Sequence, residues 1–358
     1  MCSSDLGHPL ELTGCSRLSV FPRISNVPDM VRIGIIGLGP YWEQRYEPAL
    51  RMMDQRIQIK AVYDPVRSRA EQVAAQWDAA VVSGIGCLAT RYPLDAFLLL
   101  HSDWMNHYPL TILSQQHRPV YIAGSLGEDL ELLEMIHARA TEQLVTLMPE
   151  FSRRYCQATS RLFELVVTQL GNPVSIQLET CCPADDQQVE VPGQKNETDF
   201  LVGLMDWCCY VMRTRPVRVE TTLQSDSSDR SEDYRQIKIE FLPDPVTAVE
   251  RVALIKIKTH QREMEPLFPR HLIQCRNGQA EFHSPDEIHW ENASQSITES
   301  LKSDRRELEV MLDHFCRRAV GGIIPVANIR DVCQAIQLVR LSRASLEAGK
   351  PLDFTAAK

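Results

Sequence analysis

The 358-residue chain has no apolar run near the roughly 18 residues that a membrane-crossing helix needs; its longest candidate, "AFLLL" at 96–100, is strand-sized and ends at His101. A membrane partner is therefore not expected. Positive charge is also short: 38 Lys and Arg stand against 47 Asp and Glu, a formal net charge of -9. A general nucleic-acid binder needs a basic face, so no nucleic-acid partner is expected. The 11 cysteines include no Cys-x-x-Cys pair. The vicinal pairs Cys181–Cys182 and Cys208–Cys209 lack the gap of two to four residues that a tetrahedral zinc site favours. No metal is expected, and the thiols read as reduced, as in a cytoplasmic protein. Asn196-Glu197-Thr198 and Asn292-Ala293-Ser294 match glycosylation sequons without a secretory context. Residues 1–29 have neither a basic start leading into an apolar stretch nor a cleavage-like site. Their "CSSDL" resembles an in-frame translation of a sequencing adapter. They read as a non-native or disordered leader, with Met30 expected as the true start.

What is present is ordinary globular composition, 44% hydrophobic and 24% charged. The length exceeds what one core usually fills, so two domains are expected, 30–148 and 149–358. Apolar runs predict strands at 32–36, 58–63, 79–82, 96–100, 120–122 and 144–147. Amphipathic stretches at 43–53, 67–76, 108–116 and 129–141 predict helices between them. That alternation implies a doubly wound parallel sheet of the Rossmann type. Beyond residue 148 a helix is expected over 154–170, then the strand "VSIQLET", a polar loop over 181–197, and a helix over 199–212. Alternating runs then predict an open, mainly antiparallel sheet as far as "QAEFHS", with a hairpin at Asn277–Gly278. A helical region over 303–348, broken at "VGGIIPVA", completes an α+β domain. The charged stretch 225–233 reads as a hairpin tip.

In "GIIGLGPYW", Gly37 permits a tight turn out of the first strand and Gly39 lets the backbone approach a pyrophosphate, with helix amides facing the phosphates. Trp42 occupies the third glycine position. Asp64, 25 residues after Gly39, closes the second strand where an acidic residue accepts the ribose hydroxyls. The competing reading is that Asp64 caps the turn "DPVR". Its charge favours NAD over NADP, while Arg67 keeps NADP open. The candidate cofactor-binding set is Gly37, Leu38, Gly39, Pro40, Tyr41, Trp42, Asp64, His101 and Ser125.

The sequence resembles the Gfo/Idh/MocA family, the glucose–fructose oxidoreductase and inositol dehydrogenase group. The carriers are "GIIGLGPYW", "AVYDPVRSRA", "DAFLLL", "HRPVYI", "FSRRY" and the tail from "FCRRAVGG" to "GKPLDF", in that order over residues 31–354. The resemblance implies reversible hydride transfer between a nicotinamide cofactor and a sugar- or cyclitol-like hydroxyl. It also implies homodimers or tetramers formed through the open sheet face. The reaction needs a general base beside the hydroxyl. The family supplies it with a lysine in "E-K-P" and a histidine in "D-x-x-x-H-x-x-D". Aligned on "PVYIAGSL", the first motif becomes Ala123, Gly124 and Ser125. Aligned on "DFLVGLMD", Asp199 and Asp206 are kept while Gly203 replaces the histidine. A further family histidine corresponds to Asn106 or His107.

Replacement acid/base groups are sought among His101, Asp199 and Tyr155, with His107 and Tyr121 behind them. Each also has a purely structural reading: Asp199 as a helix cap, Tyr155 and Tyr121 as packing, His107 as a helix start. Arg153 and Arg154 could meet an anionic substrate or form interdomain salt bridges. "DWCCYVM" reads as a buried helix face. Three functions compete: an NAD(P)-dependent oxidoreductase with a divergent acid/base set, a catalytically degenerate nucleotide-binding sensor, regulator or partner subunit, and a non-redox enzyme using bound NAD internally.

Overall fold

The computed structural model describes residues 30–102, 105–181, 197–225, 233–244, 247–258, 270–323 and 325–355. The leader 1–29, most of the polar loop and the charged tip lie outside the described residues. Two sheets organise the chain. The first comprises β1 (Val31–Ile36), β2 (Ile57–Tyr63), β3 (Ala80–Val81), β4 (Ala96–Leu99), β5 (Val120–Ile122) and β6 (Leu147–Pro149), all parallel, in the order β3-β2-β1-β4-β5-β6. Every residue of β4 is buried, as a strand covered on both faces requires. Helices α1 (Glu47–Arg51), α2 (Arg67–Trp77), α3 (Ile85–Arg91), α4 (Tyr108–Leu113) and α5 (Leu130–Glu142) connect the strands. Strand order reverses between β1 and β4, so the ligand crevice lies outside the carboxyl ends there.

Two local departures from the sequence pattern have physical causes. The helix expected over 43–53 is a wide π-helical turn, Trp42–Tyr46, followed by the five-residue α1. Pro48 lacks the N–H that a regular helix would need at that position. The apolar residues at 144–145 do not open a strand. Leu144 is 87% exposed at φ 56°, in the turn that ends α5, and pairing begins at Leu147.

α6 (Gln157–Leu165) and α7 (Glu197–Met212) lie on one face of the second sheet. Its strands are β7 (Pro173–Cys181), β8 (Pro216–Ser225), β9 (Asp233–Phe241), β10 (Arg251–Lys258), β11 (Arg270–Cys275), β12 (Gly278–Ser284), β13 (Glu287–Asn292), β14 (Ser296–Ser300) and β15 (Leu352–Asp353). The order is β14-β13-β12-β11-β7-β10-β9-β8-β15, antiparallel except for the central β7–β10 pair. Alternate residues such as Ile176, Leu178, Ile255 and Ile257 point into the core, whereas Gln177, Glu179 and Lys256 form the half-exposed opposite face.

The last two long helices, α8 (Glu307–Ala319) and α9 (Ile329–Ala348), tie the sheets together. Leu308, Met311, Leu312 and Phe315 of α8 share a core with Ile33, Trp42 and Tyr121 of the first sheet's layer. α9 gives Val332 and Ile336 to the first sheet's other face and Leu338 and Val339 to the second sheet's core. Its start is fixed by a reciprocal capping box of Asn328 and Asp331. No helix among the described residues is long and apolar enough to cross a membrane.

Candidate functional site

The glycine turn after β1 is built as the motif requires. Gly37 and Gly39 have φ of 68° and 67°, a region that side chains rarely tolerate. A Cβ on Gly37 would lie 2.0 Å from the His101 carbonyl oxygen, and one on Gly39 would lie 2.9 Å from the His101 Cβ. His101, just past β4, is therefore packed directly on the loop. Asp64 is buried. One of its oxygens accepts the Leu38 amide at 2.8 Å and the other accepts the Val66 amide at 2.9 Å. It both braces the glycine turn and caps the turn after β2. A carboxylate has about four acceptor sites, so capacity for a ribose diol remains. Arg69 donates to the Gly39 carbonyl at 2.6 Å and holds the loop from the other side.

Beside this loop a cavity of about 420 Å³ opens at the ends of β2 and β3, with Tyr63, Asp64, Val82, Ser83, Arg91 and Tyr92 among its walls. Its size suits a ligand pocket, and its lining is mixed, with Asp64, Arg67, Ser83 and Arg91 beside Val81, Val82 and Tyr92. Pro40 offers no amide, so Gly39, Tyr41 and Trp42 hold the loop's remaining positions for phosphate. Trp42 itself is buried in the core beneath α8. Its side chain fills space between helix and sheet, where the third glycine would have allowed closer packing. A glycine cradle that a Cβ would fill, backed by a buried carboxylate, fits a dinucleotide.

The expected catalytic positions are arranged less conventionally. Gly124 follows β5 with φ 94°, so the backbone there favours glycine. Ser125 accepts the Gly127 amide at 3.1 Å and shapes the same loop. Asp199 lies within the first turn of α7, two residues after its start, and is half-buried. Its neighbour Thr198 donates to Glu128 at 2.9 Å, and Arg343 of α9 pairs with Glu128 at 3.0 Å. Burial opposes the charge on Glu128, but hydrogen bonds from Arg343 and Thr198 hold its carboxyl below the usual range. This clamp joins the start of α7 to the segment that follows Gly124 and Ser125.

Tyr155 is 4% exposed and packs edge-on against His314, 5.4 Å between ring centres. Burial pushes its phenol pKa up, which does not suit a base at neutral pH. Tyr121 is fully buried and donates to Glu150 at 2.7 Å. His107 precedes α4, and its ring meets the Leu126 carbonyl. Arg154 forms a buried ion pair with Asp206 of α7: Nε and Nη2 donate to Asp206 at 2.9 and 2.5 Å, and Nη1 donates to the Val326 carbonyl at 2.5 Å. Among the described residues no three His, Cys, Asp or Glu side chains are grouped to hold a metal.

Two clusters were not anticipated. Glu150, directly after β6, accepts from Arg45, from Tyr46 at 3.0 Å and from Tyr121, and so links the helix after the glycine turn to β5 and β6. The Glu128 clamp spans elements more than 200 positions apart. Neither leaves a spacing signal in the chain.

No family profile matches the sequence, and no curated protein matches it. Solved structures do. UDP-N-acetylglucosamine 3-dehydrogenase GnnA from Acidithiobacillus ferrooxidans superposes with a TM-score of 0.69 at 15% identity, over 89% of this chain and 99% of that one. An aldose-aldose oxidoreductase from Caulobacter crescentus gives 0.72 at 12% identity, over 91% and 100%. An oxidoreductase from Agrobacterium radiobacter, in complex with NAD+, L-tartaric acid and magnesium, gives 0.72 at 11%, over 91% and 98%. The chain has the fold of the Gfo/Idh/MocA-type oxidoreductases.

Proposed function

We propose that this protein is an NAD(P)-dependent oxidoreductase acting on a sugar- or cyclitol-like hydroxyl or carbonyl, with an acid/base set that differs from the lysine and histidine of the fold's relatives. The observation that carries this reading is the glycine cradle closed by His101 and braced by Asp64. A nicotinamide dinucleotide bound there would supply the hydride acceptor or donor. Asp64 would hold the adenosine ribose, the amides of the loop would face the phosphates, and Ser125 would shape the nicotinamide end. NAD is favoured by the Asp64 charge. His101 and Asp199 are the groups assigned to hold and move the hydroxyl proton, with Tyr155 as packing support. The names of the neighbours, a nucleotide-sugar dehydrogenase and an aldose-aldose oxidoreductase, support a carbohydrate-like substrate. The protein is assigned to the cytoplasm and to a homodimer or homotetramer joined through the open face of the second sheet.

A second reading has a specific observation behind it. Gly124 and Gly203 stand where the family lysine and histidine are expected, and a positioned acid/base group is worth about 10²–10⁴ in rate. A nucleotide-binding sensor or partner subunit would need neither. Purified protein assayed with sugars and polyols at the nicotinamide absorbance band decides between them. Turnover that falls at least tenfold in Asp199→Asn, with dinucleotide affinity kept, supports the enzyme. Saturable dinucleotide binding with no turnover across the panel supports the second reading.

A further inference from the structure

The Glu150 side chain is 4% exposed, and its carboxylate accepts from Arg45, from Tyr46 at 3.0 Å and from Tyr121 at 2.7 Å. Burial, then the Glu150 charge, pushes both phenols up, so each stays a neutral donor. Burial works against the Arg45 guanidinium, but Glu150 outweighs it and holds the group above its ordinary range. Arg45 also reaches Ser152 at 3.4 Å and Glu307 at 3.7 Å, while its Nε is buried with no acceptor. The three donors come from two different loops of the dinucleotide crevice. Arg45 and Tyr46 belong to the wide turn Trp42–Tyr46, a form that recurs at functional sites. Their amides donate to the Tyr41 carbonyl at 3.0 and 3.3 Å, so the turn closes directly on the exit of the glycine cradle. Tyr121 belongs to β5, the strand that leads into Gly124 and Ser125, and the Glu150 amide donates to the Ile122 carbonyl at 2.8 Å. The adenosine end is braced separately, by Asp64 on the Leu38 and Val66 amides.

We propose that Glu150 is a positioning residue for the dinucleotide. It touches no ligand, but by holding Arg45 and Tyr46 on one side and Tyr121 on the other it sets the glycine cradle relative to the Gly124–Ser125 loop. The phosphates and the nicotinamide end are thereby kept in register, where a small misplacement is costly. This rests on the dinucleotide reading of the same crevice.

The test titrates NADH and adenosine into the wild-type protein, Glu150→Gln, Arg45→Met and the double variant, and records Tm in the same buffer. NADH affinity should fall at least fivefold in each single variant and no further in the double, because both single changes break one linkage. Adenosine affinity should stay within twofold throughout. The double variant removes both charges, so its Tm should recover above that of Glu150→Gln while its NADH affinity does not, which a purely structural role would not produce. A folded Glu150→Gln that binds NADH like wild type overturns the inference. So do equal losses for NADH and adenosine, multiplied losses in the double variant, or NADH affinity that recovers there together with Tm. If Glu150→Gln does not fold, Tyr46→Phe decides, since it removes one donor and keeps the ring: NADH weakened at least twofold supports the inference, and unchanged NADH overturns it. These failures, with saturable NADH binding in the wild type, leave the dinucleotide reading intact. No saturable NADH binding in the wild type contradicts that reading, and the role of Glu150 falls with it.

Discussion

At the scale of single residues, the glycines divide by what their backbone must do. Gly37 and Gly39 hold left-handed conformations against the His101 backbone and side chain, with no room for a Cβ. Gly39→Ala is expected to destabilise by roughly 1–3 kcal/mol and to abolish dinucleotide binding, read by chemical denaturation and NADH fluorescence. Gly124 differs, since a Cβ there would meet only the Leu100 carbonyl oxygen at 3.9 Å, yet its φ of 94° strains any side chain. Gly124→Lys should therefore lose about 1–2 kcal/mol of stability, read by chemical denaturation. His314 supplies a pH signature. Burial, then Arg317, holds its imidazole below the usual value, so between that lowered pKa and about 6.5 the unfolded chain binds more protons. The contribution is complete above about pH 6.5 and is lost as pH falls below it. Urea midpoints at pH 7.5 and 5.5 should differ less in His314→Gln than in wild type. Gly37, Gly39 and Asp64 were legible in the sequence because a turn at a strand end dictates them locally. Glu150 was not, because what makes it unusual is the set of partners the fold brings to it.

At the scale of elements, the two sheets are locked by side chains from short connecting segments. The Arg154–Asp206 pair joins the turn after β6 to α7, and Asp331 brings in α9. Burial raises the Asp206 carboxyl to about 6 while Arg154 opposes the shift, so the charged pair depends on both partners. Arg154→Met alone should cost roughly 3–5 kcal/mol by stranding Asp206. Arg154→Met with Asp206→Leu should recover much of that loss, measured by a double-mutant cycle. Strands β1, β2, β4 and β5 were readable from short apolar runs between amphipathic stretches. β13 and β14 were missed: "EIHWEN" buries only Ile288 and Trp290, and "SITES" is an exposed edge strand. β6 was displaced by three residues because Leu144 and Val145, though apolar, belong to the turn out of α5.

For the whole molecule, the doubly wound sheet and the open second sheet followed from pattern. The role of α8 did not, because its apolar stripe does not say which sheet it covers, and it completes the first sheet from the far end of the chain. On the second sheet's half-exposed face, Lys256 of β10 pairs across strands with Glu179 of β7, and Lys238 pairs with Glu240 along β9. Light scattering after size exclusion should give twice or four times the chain mass, and Lys256→Glu, which opposes like charges on that face, should shift the population toward monomer. The account as a whole turns on the glycine cradle. Titration of the protein with NADH and NADPH, followed by energy transfer from tryptophan to the nicotinamide, tests it most directly. The account predicts saturable binding in the wild type and none in a folded Gly39→Val variant; no saturable binding of either dinucleotide, or unchanged binding by Gly39→Val, would contradict it.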